Sequence, residues 1–369
     1  MTLIGLLTTL QTNMEKVMIN LSAFGYEKDM QIQDIIPETW RRKDFIQGEM
    51  VKQFEHNFSK YVLAKHCVAV SSCTSALQMS LLALGIGTGD EVITTPYTWV
   101  SSAECIKQVG ANPVFVDINA DDMCIDTNEV KSKITAKTKA IIAVDLYGNV
   151  SDIDILKQFG IPVIEDAAQS TGALYKGKVV GGIADITCFS FYPTKNLSCW
   201  GDAGAVTTNS DDLAEKITEM RNHGQSKRFM IERVGWNARM DTIHAEVLCR
   251  KLNHLDKWNA KRKQIAQWYN DEFKDRVKVP YPNQHSFHVY HQYVIRSPRM
   301  PAIKDYLNRN NIQARTYYPA PLHQTTTYAQ ADNFPQAENA SSTGLAIPVH
   351  QWLTEKDIDV IIKTVKEII

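Results

Sequence analysis

Short apolar runs recur between residues 67 and 191, each the length of a strand and too short for a buried helix. The runs are Cys67–Val70, Glu91–Thr94, Pro113–Asp117, Ala140–Asp145, Ile161–Ile164 and Ile186–Phe191. Stretches with a helical period separate them. Phe45, Met50, Phe54, Phe58 and Tyr61 mark one amphipathic helix with Gly48 near its start; Ala76 to about Leu84 and Trp99–Gln108 mark two more. Strands alternating with helices at this spacing predict an α/β fold with a mostly parallel sheet. After residue 250 the texture changes. A long charged helix is expected over 244–272, with Leu248, Leu252, Leu255 and Trp258 on one face. A strand over Tyr290–Ile295, a helix near 301–310 and a Pro-rich loop at 316–323 follow, the pattern of a smaller α+β domain. The expected division is an extension and lead-in over 1–43, a large domain over 44–250, and a connector helix with a small domain over 251–369.

The first twenty residues stand apart. Leu3, Leu7, Leu10, Met14 and Val17 step by four and three, which puts them on one helical face. No basic residue precedes them and no small-residue cleavage site follows, so a signal peptide is not expected. The stretch is too short and polar to span a bilayer. The expectation is an extension packed on the body, or an early start codon ahead of Met14 or Met18.

Composition narrows the function without choosing it. The 369 residues carry a net charge of −1, which gives no electrostatic footprint for nucleic acid. The seven cysteines are odd in number and form no CxxC pair, so neither a disulfide framework nor a zinc site is expected; a reducing cytoplasm fits.

The candidate chemistry sits at strand ends. Ile186–Phe191 runs into Pro193, which cannot pair in a central sheet, so the chain must turn there and deliver Thr194, Lys195 and Asn196 to the strand's end. The strand Ile161–Ile164 ends in Glu165 and Asp166. A lysine and a carboxylate at the ends of buried strands point to one site at a sheet edge. Strand Cys67–Val70 leads through Ser71-Ser72-Cys73-Thr74-Ser75 into a helix, the order in which helix amides and hydroxyls hold a phosphate; a plain N-cap has the same letters. The glycines of Gly85–Gly89 follow a helix and precede a strand, the reverse of a dinucleotide fingerprint, so they read as a helix end and turn.

Together these segments carry a resemblance. SSCTSALQMSLLALGIGTGDEVITTPYTWVSSA, VFVDI, AIIAVDLYG, VIEDAAQSTGA, FSFYPTKNL, GDAGAVTTN, RNHGQ, GWNARMD, YYPAPLH and AIPVH occur in this order from about residue 30 onward. The chain resembles the sugar aminotransferases of the DegT/DnrJ/EryC1/StrS family, pyridoxal 5'-phosphate (PLP) enzymes of the aspartate aminotransferase fold (fold type I). The resemblance implies a large domain with a mostly parallel central sheet and a smaller C-terminal α+β domain. It implies that Lys195 forms the imine with the cofactor and that Asp166 faces the pyridine nitrogen. Gln169 would lie near the ring's phenolic oxygen, Thr74, Ser75 and Ser190 at the phosphate, and Trp99 stacked on the ring. Asn237 and Arg239 would reach the neighbouring subunit's site in a homodimer, and His323 would lie near the substrate entrance. No metal is implied.

Three positions depart from the family pattern. Cys73 stands where glycine is usual, and Asp145 and Tyr317 where histidine is common. The last two are expected to bear on substrate choice, Tyr317 as a substrate residue. Lysine at 195 argues against the dehydratase branch, which has histidine there. The implied reaction moves an amine from glutamate, or glutamine, to a nucleotide-linked 4-keto or 3-keto hexose. A PLP-binding regulator without turnover and an NAD-dependent oxidoreductase are the competing readings.

Overall fold

The computed structural model describes residues 18–22 and 35–369. Helices α1 (Ile35–Arg42) and α2 (Glu49–Tyr61) lead into β1 (His66–Val70) and α3 (Cys73–Ala83). Then come β2 (Glu91–Thr94), α4 (Ser101–Gln108), β3 (Asn112–Phe115), α5 (Thr127–Lys133), β4 (Thr138–Val144), α6 (Ile153–Lys157) and β5 (Val163–Asp166). The short strands β6 (Leu174–Tyr175) and β7 (Lys178–Val179) precede β8 (Ile186–Ser190), β9 (Gly204–Thr208) and α7 (Asp211–Met220). A hairpin of β10 (Gln225–Lys227) and β11 (Met230–Ile231) follows.

Seven strands form one sheet in the order β1-β9-β8-β5-β4-β2-β3. Neighbours from β8 to β3 are parallel, and β9 runs antiparallel between β8 and β1. Two antiparallel steps restore direction, so β1 also points the same way as β8. The carboxyl ends of β1, β2, β4, β5 and β8 therefore share one edge, where open α/β sheets bind ligands. Pro113 is tolerated because β3 is an edge strand. The sheet is buried on both faces, as parallel sheets must be. Ala76, Leu77 and Leu81 of α3 pack on one side, and Phe54 and Phe58 of α2 on the other. Phe58 meets Phe189 edge-on at 5.0 Å between centroids, and Phe191 at 5.4 Å.

The chain continues through α8 (Thr242–Leu252), α9 (Leu255–Phe273), β12 (Ser286–Phe287), β13 (Tyr293–Arg296), α10 (Met300–Arg309), α11 (Pro335–Thr343), β14 (Gly344–Ile347) and α12 (Glu355–Ile368). The single helix expected over 244–272 is in fact two. Asn253 and His254, both weak helix formers, break it, and the His254 amide bonds back to the Lys251 carbonyl at 2.9 Å. A separate apolar cluster, including Ile265, Tyr269, Phe273, Ile295, Ile347 and Ile361, holds the antiparallel pair β13–β14 against α9 and α12.

The stripe from Leu3 to Val17 lies outside the described residues. Residues 18–22 run alongside 311–313: the Ile19 amide bonds Asn311 O at 2.8 Å and the Gln313 amide bonds Ile19 O at 2.9 Å. No helix among the described residues is long and apolar enough to cross a membrane. No cluster of His, Cys, Asp or Glu among them could hold a metal. The seven cysteines are free thiols.

Candidate active site

At the shared strand edge lies a cavity of ≈ 880 Å³. The fold builds its floor. After β8, the Lys195 amide closes a turn onto Tyr192 O at 2.8 Å and the Cys199 amide returns to Phe191 O at 2.8 Å, so the loop holds Lys195 over the sheet. Asp166 ends β5, the parallel neighbour of β8, and both side chains line the cavity.

Asp166 is 5% exposed. Its Oδ2 accepts from Ser102 Oγ at 2.8 Å; its Oδ1 accepts from the Ala168 amide at 3.2 Å and from Cys73 Sγ at 3.7 Å. Burial pushes the carboxyl above its usual range, while these donors and the charge of Lys195 pull it back. Lys195 is half-buried, and burial pushes its ammonium down to about 8 against the pull of Cys73 and Asp166. Among the described residues it makes no side-chain hydrogen bond.

Helix α3 begins where β1 ends. Ser72 and Ser75 form a reciprocal capping box, with Ser75 N to Ser72 Oγ and Ser72 N to Ser75 Oγ both at 3.1 Å. The Cys73 and Thr74 amides of the same turn have no partner among the described residues, and Thr74 Oγ1 sits 2.8 Å from Ser101 Oγ. Ser72, Cys73, Thr74, Ser101 and Ser190 line the cavity. Gly204 makes this packing possible: a Cβ there would lie 2.5 Å from Ser72 C and 2.7 Å from Cys73 N. The result is a cradle of amides and hydroxyls with helix-end polarity, suited to an anion.

Trp99 is 60% exposed, which is not the burial of a core tryptophan, and it lines the cavity 6.1 Å from the Tyr318 ring. Gln169 accepts from the Tyr147 amide at 2.8 Å and donates to Tyr318 Oη at 3.2 Å. Tyr317 lines the cavity while its carbonyl accepts from Tyr97 Oη at 2.6 Å.

Other expected residues lie elsewhere. Ser75 is behind the cradle, engaged in the cap. Asn237 is exposed and accepts from Arg239 Nη2 at 2.6 Å, while Arg239 Nη1 donates to Asn222 at 2.9 Å; neither lines the cavity. His323 is buried beside Phe334, paired to Glu338 at 3.1 Å, and does not line the cavity. Asp145 is also off the wall. It is fully buried, accepting from the Ser151 amide at 2.9 Å and Ser170 Oγ at 2.8 Å, and burial beside Glu165 pushes its carboxyl well up. Any influence of Asp145 on substrate is therefore indirect, because its oxygens are spent on the fold.

The far wall consists of residues the motifs did not reveal: Asn20–Ser22, Arg262, His291, Gln292, Gln313 and Arg315. The one signal for Arg262 is helical phase. It falls three before Ile265 and three after Asn259 on the buried stripe of α9, and is 2% exposed.

An aldehyde cofactor needs an amine to hold it, an anion to face its ring and amides to take its phosphate, and this sheet edge offers all three. That is the arrangement of the PLP-dependent transferases. The finer assignment follows from comparison: residues 26–366 match the DegT/DnrJ/EryC1/StrS aminotransferase family, and the chain belongs to it. It is 37% identical over 362 residues to a pleiotropic regulatory protein of Geobacillus stearothermophilus, covering 95% of this chain and 97% of that one. It is 37% identical over 332 residues to the UDP-2-acetamido-2-deoxy-3-oxo-D-glucuronate aminotransferase of Pseudomonas aeruginosa, covering 88% and 92%. Its fold superposes on the crystal structure of S. venezuelae DesV with a TM-score of 0.89, at 33% identity, over 91% of this chain and 94% of that one. The cofactor is pyridoxal 5'-phosphate, and the activity is amino transfer.

Proposed function

We propose that this chain takes an amine from glutamate, or glutamine, and delivers it to the keto carbon of a nucleotide-linked hexose in amino-sugar biosynthesis. The observation that carries the reading is the presence of Lys195 and Asp166 on the walls of one cavity. At ≈ 880 Å³ it has the size of sites that enclose whole small-molecule ligands, roughly 300–1,000 Å³. Two sugar aminotransferases among the relatives, acting on UDP- and dTDP-linked sugars by name, support the acceptor class.

Bound PLP supplies an electron sink for the pair left when a C–H bond beside the amine breaks. The protein supplies the rest. Lys195 is the anchoring amine and the proton carrier, because an Nζ held near pKa 8 both takes and releases protons close to neutral pH. Asp166 keeps negative charge against the ring nitrogen. Thr74 and Ser190, with the first amides of α3, take the phosphate, and Ser75 holds that turn in place through the cap; Trp99 covers the ring, Gln169 sits at its phenolic oxygen, and Tyr317 bounds the substrate space.

The active unit in this reading is a homodimer with shared sites. In support, Asn237 and Arg239 lie just after a hairpin that exposes Phe229 (80%) and Ile231 (70%), with Val234 (82%) exposed in the segment between. Mixing Lys195→Ala subunits with Asn237→Asp subunits should restore one intact site per heterodimer; two inactive parents that exchange subunits without regaining activity would overturn it. Free thiols throughout support a reducing, cytoplasmic compartment.

The name of the Geobacillus relative keeps a second reading in view, a regulator without turnover. A panel of keto-sugar nucleotides offered to the aminated enzyme decides between them. Return of the cofactor's visible absorption with one acceptor supports the transaminase. No return with any acceptor, and no spectral response to glutamate or glutamine, favours the regulator.

A further inference from the structure

Arg262 is the feature of the cavity that the chemistry above does not use. It sits on the buried stripe of α9 among Trp258, Asn259, Ile265 and Ala266, where an apolar residue would be expected, and is 2% exposed. Desolvating a guanidinium is expensive unless charge or hydrogen bonds compensate. The chain compensates only in part. Nε donates to Gln351 Oε1 at 3.1 Å, and Nη1 donates to the carbonyls of Tyr290 and Val349 at 3.2 and 3.3 Å. All three acceptors are neutral. No carboxylate pairs with it among the described residues, and Nη2 has no partner among them.

The three bonds also fix the direction of the fork. Nε and Nη1 face the protein, so the remaining edge, Nη2, belongs to the cavity that Arg262 lines. His291 stands on the same wall, 7% exposed, with its Nδ1 unpartnered. It feels the charges of both Lys195 and Arg262, and burial with those charges pushes its imidazolium well down, so the ring is neutral. A neutral imidazole can donate one hydrogen bond without adding a further buried charge. A buried cation with a free Nη2, beside a neutral donor and near the reacting lysine, is a built site for an anion. The α3 cradle is a separate construction of amides and hydroxyls.

We propose that Arg262, assisted by His291, binds the carboxylate of the amino donor; this rests on reading the cavity as an aminotransferase site. A carboxylate accepts a charge-assisted hydrogen bond from the free Nη2, and it supplies the missing charge where the protein places none. The amino acid's amine, one carbon from that carboxylate, is then directed toward Lys195.

The test uses 2-oxoglutarate, a dicarboxylate with no amine to react with the pyridoxal form of the enzyme. Titration calorimetry on the cofactor-loaded wild type should show binding, and Arg262→Gln should weaken it by about 30-fold or more, the effect of removing one partner of a buried charge pair. In steady state the variant's KM for the amino donor should rise by a similar factor with kcat changed much less. The KM for the sugar nucleotide and the affinity for PLP should stay near wild type. Arg262→Lys keeps the charge but loses the donor fixed in place at Nη2, and should fall between the two; it serves if the Gln variant does not fold. Wild-type 2-oxoglutarate affinity in a folded variant would overturn the assignment. So would a loss confined to the sugar nucleotide, which would give the subsite to an acceptor carboxylate or phosphate, or a loss confined to PLP. If no acceptor is ever aminated but 2-oxoglutarate still binds through Arg262, the transaminase reading fails and the subsite stands.

Discussion

Replacing Asp166 by Asn removes a charge while leaving most contacts possible. Asn can still accept from the Ala168 amide, and the Ser102 hydroxyl, now 2.8 Å from a carboxylate oxygen, can rotate to accept from the new amide. Folding should therefore suffer little, by about 1 kcal/mol, the value of one exchanged hydrogen bond. The chemistry should suffer more. A carboxylate about 4 Å from a cation gains roughly 4 kcal/mol at an effective dielectric near 20. The amide dipole recovers part of this, leaving a loss of about 2.7 kcal/mol, or ~10²-fold in rate. The assay is stopped-flow absorbance of the half-reaction with the amino donor, at saturating PLP, with occupancy checked by the cofactor's visible band. The rate constant should fall by at least that factor while Tm moves by only a few degrees. Wild-type rates with PLP fully bound would refute the reasoning and reduce Asp166 to a structural strand-end carboxylate.

Lys195→Ala removes both the anchoring amine and the proton carrier, so transamination should vanish in steady-state assays while the far-ultraviolet circular dichroism is unchanged; a comparable kcat would sink the assignment. In the cofactor-free protein, burial lowers the Lys195 pKa to about 8, so its acylation by an amine reagent, followed by peptide mass spectrometry, should rise through pH 8 rather than near the ordinary 10.5. The same shift has a stability consequence: between about pH 8 and 10.5 the unfolded chain binds the extra proton, so Lys195 opposes folding most below pH 8 and the cost fades as pH rises. Phe58→Ala empties the junction of α2 with Phe189 and Phe191 and should lower unfolding free energy by about 3–5 kcal/mol, measured by urea denaturation.

The sheet half of the site was legible in the sequence because its signals are local. A buried run that must stop at Pro193, another that ends in Asp166, and a hydroxyl cluster between strand and helix each announce a side chain at a strand end. The far wall was not legible, because Arg262 on α9 and His291 and Arg315 on later loops meet at the cavity only through tertiary packing. In sequence, Lys261-Arg262-Lys263 looks like a solvated charge run, and only the helical phase separates the middle residue from its neighbours. The break at Asn253 and His254 is hidden in the sequence for a related reason: the apolar phase of Leu248 and Leu252 continues into Leu255 and Trp258, so periodicity carries straight across it.

Helix α9 touches both halves of the molecule. Asn259 is bonded at 2.8 Å to Asn196, the residue after Lys195, and at 3.1 Å to the Thr171 carbonyl, while Arg262, one turn on, is bonded to carbonyls at 290 and 349. The cavity is thus composed of two inheritable blocks meeting at a single turn of helix. One block, the edge of the sheet, carries the reactive amine and its carboxylate. The other, with the segment at 18–22 laid beside it, carries Arg262 and His291, the groups proposed above for recognition. Substitutions in the second block are therefore expected to change what is bound while leaving the geometry of bond making in place.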